Sequence, residues 1–435
     1  MRKLYLLGFF LLSCQYLTGQ IQENKKLIDT LTYETQSGLP IAASKIYFSD
    51  AKFTFSGFGE TNYINYLGPK NRESGDLELY NTNLQRFVAY AAYKPKKWLV
   101  LYAELFAEYA NDGTNEGHFE YLPELFVDFL INEKFNVRVG SHQPQIGYIN
   151  NNDEPVMFHS VNRPEVERLI IPSQWIDMGI MTYGKINSNL KWSLSVYQGL
   201  EPHYLNGATW IRRGRDETLR FNFNSFILNG GIKYTGLKNT ELAVNGIFTQ
   251  LGNNELVETQ NNKSKVASNT YLLSSYIKHD FRNFSFMALG TYGRMNETEK
   301  IFELTKQYNN GIGQVMGEEV YGYYTEVAYD ILPLLGLNKR KEKGKADNFL
   351  VKSKELKLPI FARYERLNTH NSISPLLSDE NRFQSDLTVL TVGANFNPRR
   401  SIVLKANYQF RLNKEPMLNG EFEGDRFELG MGFIF

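Results

Sequence analysis

The residues with the clearest chemical potential lie in one stretch, 143–174, where charged and apolar side chains stand side by side. Arg163, Glu165, Glu167 and Arg168 follow one another closely and run directly into an apolar segment. Paired acids and bases of this kind can attract ions and orient dipolar solutes, but they provide no nucleophile. The apolar segment indicates that the stretch packs against a wall, which would leave its charges facing passing solutes.

Signals for other chemistry are poor. The six histidines are scattered and lack metal-ligand spacing such as His-Glu-x-x-His. The chain has no G-x-S-x-G motif and no P-loop, so we expect neither an enzyme nor a bound cofactor or metal. Because 48 basic residues balance 47 acidic ones, the sequence also predicts no nucleic-acid partner.

The first residues predict an export signal over 1–19. Basic Arg2 and Lys3 precede an apolar run that is too short to cross a bilayer as a helix. Cys14 is the only cysteine, and its context loosely resembles a lipoprotein box, so acylation of Cys14 stays open beside ordinary cleavage near Gly19. Residues 20–51 are predicted to be a poorly ordered periplasmic leader without an assigned function.

The element that must position the charged stretch is an array of alternating strands. At the C-terminus, Phe427, Leu429 and Phe435 share one face of an extended strand, and Arg426 and Glu428 share the other. An outer-membrane barrel ends in this way, because its last strand faces lipid on one side and a lumen on the other. We expect Phe435 to be the feature that the barrel-assembly machinery binds.

The same alternation extends back to about residue 52, with short and long connections taken in turn. The short connections lie at 94–97, 132–135, 186–189, 236–239, 280–283 and 397–400. The long ones lie near 67–81, 111–118, 143–174, 201–218, 251–268, 297–316, 368–384 and 413–424. Such sorting predicts an all-β, transmembrane antiparallel β-barrel of about 16 strands over 52–435, with short periplasmic turns and long extracellular loops.

One connection, between the strands near 318–331 and 357–367, is long where a short turn is expected. It contains the basic segment 339–345, which is either a solvated charge run or a flap that attracts anions.

Strand parity sorts the remaining charges toward the lumen. Inward positions near 98–131 are acidic, whereas those near 357–412 include several bases. The predicted pore-lining and constriction residues are Arg138, His142, Arg163, Glu165, Glu167, Arg168, Arg363, Glu365, Lys405 and Arg411. Two interpretations stay open: a transverse field across a constriction, or lateral salt bridges that stiffen the wall. The mixed signs predict weak ion selectivity.

Several short motifs carry a resemblance to a known family. They are Phe126-Val127-Asp128-Phe129, Asn136-Val137-Arg138-Val139-Gly140, Pro144-x-x-Gly147, Arg163-Pro164, Ile170-Ile171-Pro172-x-x-Trp175 and Phe361-Ala362-Arg363-Tyr364-Glu365. The sequence resembles the phosphate-selective O and P porins, especially their Bacteroidetes relatives. The resemblance implies a sixteen-stranded barrel, usually a homotrimer, for passive diffusion. The family's basic ladder has few acids nearby, so the interspersed acids here favour a porin more than a phosphate channel.

The sequence thus predicts a bacterial outer-membrane porin for small hydrophilic or anionic solutes, constricted by residues 143–174 and surrounded by outer-membrane lipid and lipopolysaccharide. Two alternatives from other classes stay open. One is an outer-membrane barrel enzyme that acts on lipid, and the other is an exported soluble β-rich protein that binds glycan.

Overall fold

A single antiparallel sheet closes on itself in the computed structural model, which describes residues 35–66, 83–111, 117–120, 124–215, 225–259, 262–336, 350–414 and 424–435. Each strand pairs with its neighbours in the sequence, and the first strand also pairs with the last. Two segments, Gly117–Glu120 and Leu125–Phe129, both pair with the preceding strand and together form one strand. The sheet is therefore a closed barrel of 16 strands, as predicted.

The barrel strands are β1 (Phe53–Tyr66), β2 (Asn83–Lys96), β3 (Leu99–Asn111), β4 (Gly117–Glu120 with Leu125–Phe129), β5 (Asn136–His142), β6 (Asp177–Asn187), β7 (Leu190–Gln198), β8 (Phe226–Tyr234), β9 (Thr240–Leu251), β10 (Ser268–Phe281), β11 (Phe284–Met295), β12 (Glu319–Asp330), β13 (Pro359–Ser372), β14 (Asp386–Arg399), β15 (Ile402–Asn413) and β16 (Arg426–Ile434).

The barrel closes where β1 meets β16, with Phe58 opposite Ile434. Phe435 extends this pairing, because its N–H donates to the Gly57 carbonyl at 2.9 Å and its own carbonyl accepts the Gly57 N–H at 3.1 Å. A Cβ at Gly57 would lie 2.1 Å from the Val88 carbonyl oxygen, so only glycine fits at this seam. The last residue is thus part of the closure.

The two faces of the strands are as the alternation predicts. On β3, Leu101 and Leu105 are 41% and 55% exposed, whereas Tyr102 and Glu104 are 2% and 4% exposed. The same division holds on β15, where Leu404 is exposed and Lys405 is buried. Apolar side chains therefore cover the exterior, and a charge placed among them near mid-bilayer would cost roughly 2–4 kcal/mol.

The connections also follow the prediction. All six short turns join consecutive strands at one end of the barrel. At the other end the long loops carry helix α1 (Glu165–Leu169), helix α2 (Thr298–Tyr308) and a separate hairpin of Leu256–Thr259 with Asn262–Lys265. Within the described ranges, no helix is long and apolar enough to cross a membrane.

The leader differs from the expectation of a poorly ordered segment, which is wrong for residues 35–51. Ala43–Phe48 forms a 3₁₀-helix, and Leu39 and Ile46 are only 2% and 0% exposed. These side chains pack among inward-facing residues of β1–β4, including Phe58 and Tyr102. The predicted signal 1–19, Cys14, the first part of the leader and the basic segment 339–345 lie outside the described residues.

Candidate functional site

Residues 143–174, hereafter loop 3, lie inside the barrel against its inward faces. Three glycines of the wall provide the space. A Cβ on Gly432 would lie 2.3 Å from Pro155, one on Gly430 would lie 3.0 Å from Val161, and one on Gly322 would lie 2.8 Å from Val166. Because β12 and β16 carry these glycines, loop 3 contacts the wall at main-chain distance. Close packing of this kind excludes water between loop and wall.

Helix α1 presents Glu165 to a group of arginines. The Glu165 carboxylate pairs with Arg168 one turn away, with Arg411 of β15 at 3.1 Å and with Arg426 of β16 at 2.7 Å. Burial opposes ionisation of Glu165, but the guanidinium groups of Arg168, Arg411 and Arg426 hold its pKa below the usual range. The charge-assisted bonds fix the loop to the wall.

Glu167 faces the opposite direction and organises loop 3 itself. Its Oε2 accepts the N–H groups of Tyr148 and Ile149 at 2.8 and 2.6 Å, and its Oε1 accepts the hydroxyl of Tyr324 on β12 at 2.7 Å. Burial raises the pKa of Glu167 from its usual value. This carboxylate is therefore a structural acceptor that ties the beginning of loop 3 to α1 and to the wall.

A second group of charges surrounds Ser160, near the middle of loop 3. Arg363 of β13 donates to the Ser160 hydroxyl at 2.5 Å, and Lys405 of β15 donates to the Ser160 carbonyl at 2.8 Å. Arg363 is also paired with Glu326 at 3.1 Å and with Glu365 at 2.7 Å. The loop therefore lies over an ion-paired stretch of the wall, and these bases do not face open lumen.

The remaining predicted residues are apart from these two groups. Arg138 of β5 pairs with Asp128 of β4 at 2.9 Å, and both side chains are fully buried. His142 contacts the Tyr197 hydroxyl at 3.0 Å at the end of β5. Arg163 donates to the side-chain hydroxyl of Ser173 at 3.1 Å, and burial lowers its pKa to about 10. All ten predicted residues thus lie inside the barrel, while their role in a constriction stays a prediction.

Several charges on the inward faces of β12–β16 and β1–β5 are paired across strands or with loop 3, and we call this part of the lumen the charged wall. Examples beyond those above are Arg86 with Glu60 at 2.8 Å and with Glu108 at 3.0 Å. Acids and bases alternate in these pairs, although Glu104 and Glu124 are two neighbouring buried acids on the same wall. The arrangement corresponds to the lateral salt bridges of the second interpretation, and it opposes a transverse field between an acidic and a basic half.

The other half of the lumen carries a row of small uncharged residues across five strands, here called the neutral belt. Its members stand directly opposite one another in the strand registers: Ser193, Gly231, Asn245, Ser274 and Thr291. Within the described part of the chain, the Ser193 Oγ, Asn245 Oδ1 and Ser274 Oγ atoms are buried and have no hydrogen-bond partner. Leaving such atoms dry costs about 1–3 kcal/mol each, so we expect individual buried water molecules to bind them.

A cavity adjoins the belt. It has a volume of about 40 Å³, opens to solvent, and extends from Asn245 and Gly231 to Lys191 and Lys233 near the short-turn end. Its other side is formed by residues 35–39 and by Gln145 of loop 3. The cavity lining is mostly polar, with Leu39 and Trp192 among its apolar residues, which suits water and hydrophilic groups more than an apolar ligand.

The predicted site list left out several members of the charged wall. Alternation assigned Arg426, Glu428 and Asp128 to the lumen face, but none of the three was among the ten predicted pore-lining residues. Glu326 offered the same signal on β12. Glu154, which accepts the Ala42 N–H at 2.7 Å, had no local signal because its partner is more than a hundred residues away.

Comparison with known proteins agrees with the barrel. Salmonella typhi OmpF, solved with daunomycin, has a TM-score of 0.50 at 8% identity and covers 88% of this chain and 97% of its own. Pseudomonas putida OprB has a TM-score of 0.50 at 9% identity and covers 88% of this chain and 94% of its own. This is a porin-type barrel. Its fold and apolar exterior place the chain in the bacterial outer membrane, so the soluble alternative is wrong.

The sequence comparisons are less specific. No protein-family model matches the chain. An uncharacterised protein of Aquifex aeolicus is 26% identical over 381 residues, which cover 86% of this chain and 79% of that protein. The resemblance to phosphate-selective porins therefore stays a prediction. The expectations that the chain is no enzyme and holds no metal stay predictions as well.

Proposed function

We propose that this protein is a porin through which small hydrophilic solutes, including small anions, diffuse passively across the outer membrane. The observation that carries the proposal is the division of the lumen. Loop 3 forms its ion pairs with the charged wall. On the other half it is held by neutral contacts such as Asn229 with Gln145, and Gly231 and Asn245 of the neutral belt line a polar cavity that opens to solvent. Solutes would pass beside loop 3 along the belt, whose hydroxyl and amide groups can replace part of a solute's hydration shell.

The charges that surround this route support weak ion selectivity. Arg138, Arg363 and Arg426 are each within hydrogen-bond distance of a carboxylate, so their fields largely cancel beyond the pair. Beside the cavity, Lys233 is likewise paired with Glu241 at 3.0 Å, so we expect neither anions nor cations to gain a large advantage. We therefore infer diffusion by size and polarity, with no preference for phosphate.

The proposal extends to the surroundings of the barrel. Lipid and lipopolysaccharide would contact the apolar exterior, and the assembly machinery would bind the last strand through Phe435 before closure. The Phe435 ring stacks on Phe87 at 5.8 Å between centroids, so its final place is in the closed seam. A homotrimer, as the resemblance implies, is part of the same proposal.

The test is single-channel recording of the refolded protein without its signal, in a planar bilayer with a salt gradient. We expect stable conductance steps and a zero-current potential close to zero. Asn245→Trp puts a bulky ring into the route, and we expect it to reduce the step size severalfold. Val244→Trp is the matched control, since Val244 is 59% exposed and faces outward.

Heat-modifiable migration on gels would first establish that each variant is folded. Folded wild-type protein that gives no steps under any condition would overturn the porin proposal. Equal conductance steps from Asn245→Trp and Val244→Trp would show that the solute route does not follow the neutral belt.

A further inference from the structure

Residues 35–49, hereafter the inner segment, fill the lumen beneath loop 3 without belonging to the sheet. None of these described residues takes part in a barrel ladder, and the backbone bonds within the segment are local, such as Ser44 N–H to the Pro40 carbonyl. Leu39, Ala42 and Ile46 are almost completely buried among side chains of β1–β4. The segment is therefore held by packing and side-chain contacts alone.

Its contacts to the wall are polar and cover several strands. The Tyr47 hydroxyl donates to Asp128 of β4 at 2.7 Å, and Gln36 donates to the Tyr183 hydroxyl of β6 at 2.8 Å. At the short-turn end, Lys94 donates to the carbonyl oxygens of Ile46 and Ser49. In porin-type barrels the short turns face the periplasm. The inner segment thus lies across the periplasmic side of the charged wall.

A further set of contacts joins the inner segment to loop 3. The Ala42 N–H donates to Glu154 Oε1 at 2.7 Å, and Asn151 contacts the Gly38 carbonyl at 3.5 Å. On the remaining side, residues 35–39 line the cavity that adjoins the neutral belt. The segment therefore touches each of the surfaces that bound the proposed solute route.

The connection between the inner segment and β1 is short and partly exposed. Asp50 and Lys52 are exposed, and β1 keeps its pairing with β2 and β16 from Phe53 onward. Release would break the side-chain contacts of the segment but no ladder hydrogen bond. Elements that move in gating are expected to be those with few ladder bonds.

We propose that the inner segment is a tethered plug, which narrows the periplasmic side of the lumen when docked and widens it when it moves away about residues 50–52. The proposal rests on the proposed porin function. It makes conduction an equilibrium between docked and released states, so changes that weaken docking raise the open fraction without altering the wall or loop 3.

The experiment compares single-channel records of the full mature chain and of the variant Leu39→Asp/Ile46→Asp. Both substitutions place a charge at a buried position of the plug. We expect the open fraction, or the mean current, to rise by about tenfold through a population shift. Phe48→Asp is the matched control, because Phe48 belongs to the same 3₁₀-helix but is 40% exposed.

A second measurement does not depend on how the double variant folds. Ile46→Cys introduces a single thiol, since the only natural cysteine is Cys14 in the predicted signal. In liposomes that conduct, a membrane-impermeant maleimide should label Cys at this buried position, and labelling should hold the channel open.

The outcomes separate the two proposals. The plug proposal is wrong if the folded double variant conducts as the wild type does, or if currents flow while the thiol of the Ile46→Cys variant stays unlabelled. In either case the porin proposal stands. If neither wild type nor variant ever conducts, the porin proposal fails first. A rise in current with Phe48→Asp as large as with the double variant would also contradict the plug.

Discussion

The two halves of the lumen have the same strand geometry but carry different kinds of inward-facing side chain. The charged wall holds long side chains that pair across strands and with loop 3, as Arg426 does with Glu165. The neutral belt holds only small residues, and its Ser193 and Ser274 hydroxyl oxygens are buried without a partner among the described residues. The charged wall therefore holds loop 3 through ion pairs, whereas the other half holds it through uncharged contacts such as Asn229 with Gln145 and leaves a small polar cavity.

The comparison shows that charge inside a barrel need not serve conduction. A buried ion pair adds little net stability, because desolvation offsets much of the attraction, but losing one partner is costly. The charged wall thus specifies where loop 3 and the inner segment lie. Small polar residues can bond to water alone, so they can line a solute route without forming ion pairs with loop 3.

The largest expected effect is a loss of stability when an ion pair of the charged wall is broken. Asp128→Ala leaves the fully buried Arg138 unpaired and removes the acceptor of the Tyr47 and Tyr183 hydroxyls. We expect a loss of about 3–5 kcal/mol in the free energy of unfolding. Urea titration followed by heat-modifiable migration measures it. A loss below that of Ser274→Ala on the neutral belt would contradict the comparison.

A smaller effect is expected where loop 3 meets the wall. Glu165→Gln removes the carboxylate that faces Arg168, Arg411 and Arg426, which leaves a surplus of positive charge between loop 3 and the charged wall. We expect the zero-current potential in a salt gradient to move toward anion selectivity. Glu258→Gln is the control, since its side chain is 73% exposed in the outer hairpin. An unchanged potential would mean that ions do not pass near α1.

The pH dependence tests the contact between the inner segment and loop 3. Burial raises the pKa of Glu154 to about 8 from its ordinary 4.5, in surroundings that include Asp153 and Tyr90. Docking therefore favours the protonated carboxyl, is strongest at low pH and weakens as the pH rises through 8. We expect the open fraction to rise between about pH 5 and 8. Glu154→Gln should flatten this rise, and a steeper or inverted profile would refute the assignment.

The smallest effect is expected on the neutral belt. Ser193→Ala removes a buried hydroxyl that has no protein partner among the described residues. We expect the free energy of unfolding to change by less than about 0.5 kcal/mol, because no hydrogen bond to protein is lost. A loss above about 2 kcal/mol would show that the Ser193 hydroxyl is bonded to protein.

The sequence was sufficient to predict the barrel because the alternation of side chains along a strand is a local property. Alternation with period two assigned Leu101 and Glu104 to opposite faces, and the chain end at Phe435 predicted closure. The short turns followed from the spacing of polar residues between strands. For the same reason, parity alone could have added Arg426 and Asp128 to the candidate site.

Only the tertiary structure decided what fills the lumen. Glu165 meets Arg426, and Glu154 meets Ala42, across long stretches of chain that no periodicity connects. The inner segment looked like a polar leader because its few apolar residues, Leu39 and Ile46, gain burial only once β1–β4 have closed around them. The sequence determined which side chains face inward. Which of those charges face loop 3 and which residues face water depended on the packing of distant segments within the closed barrel.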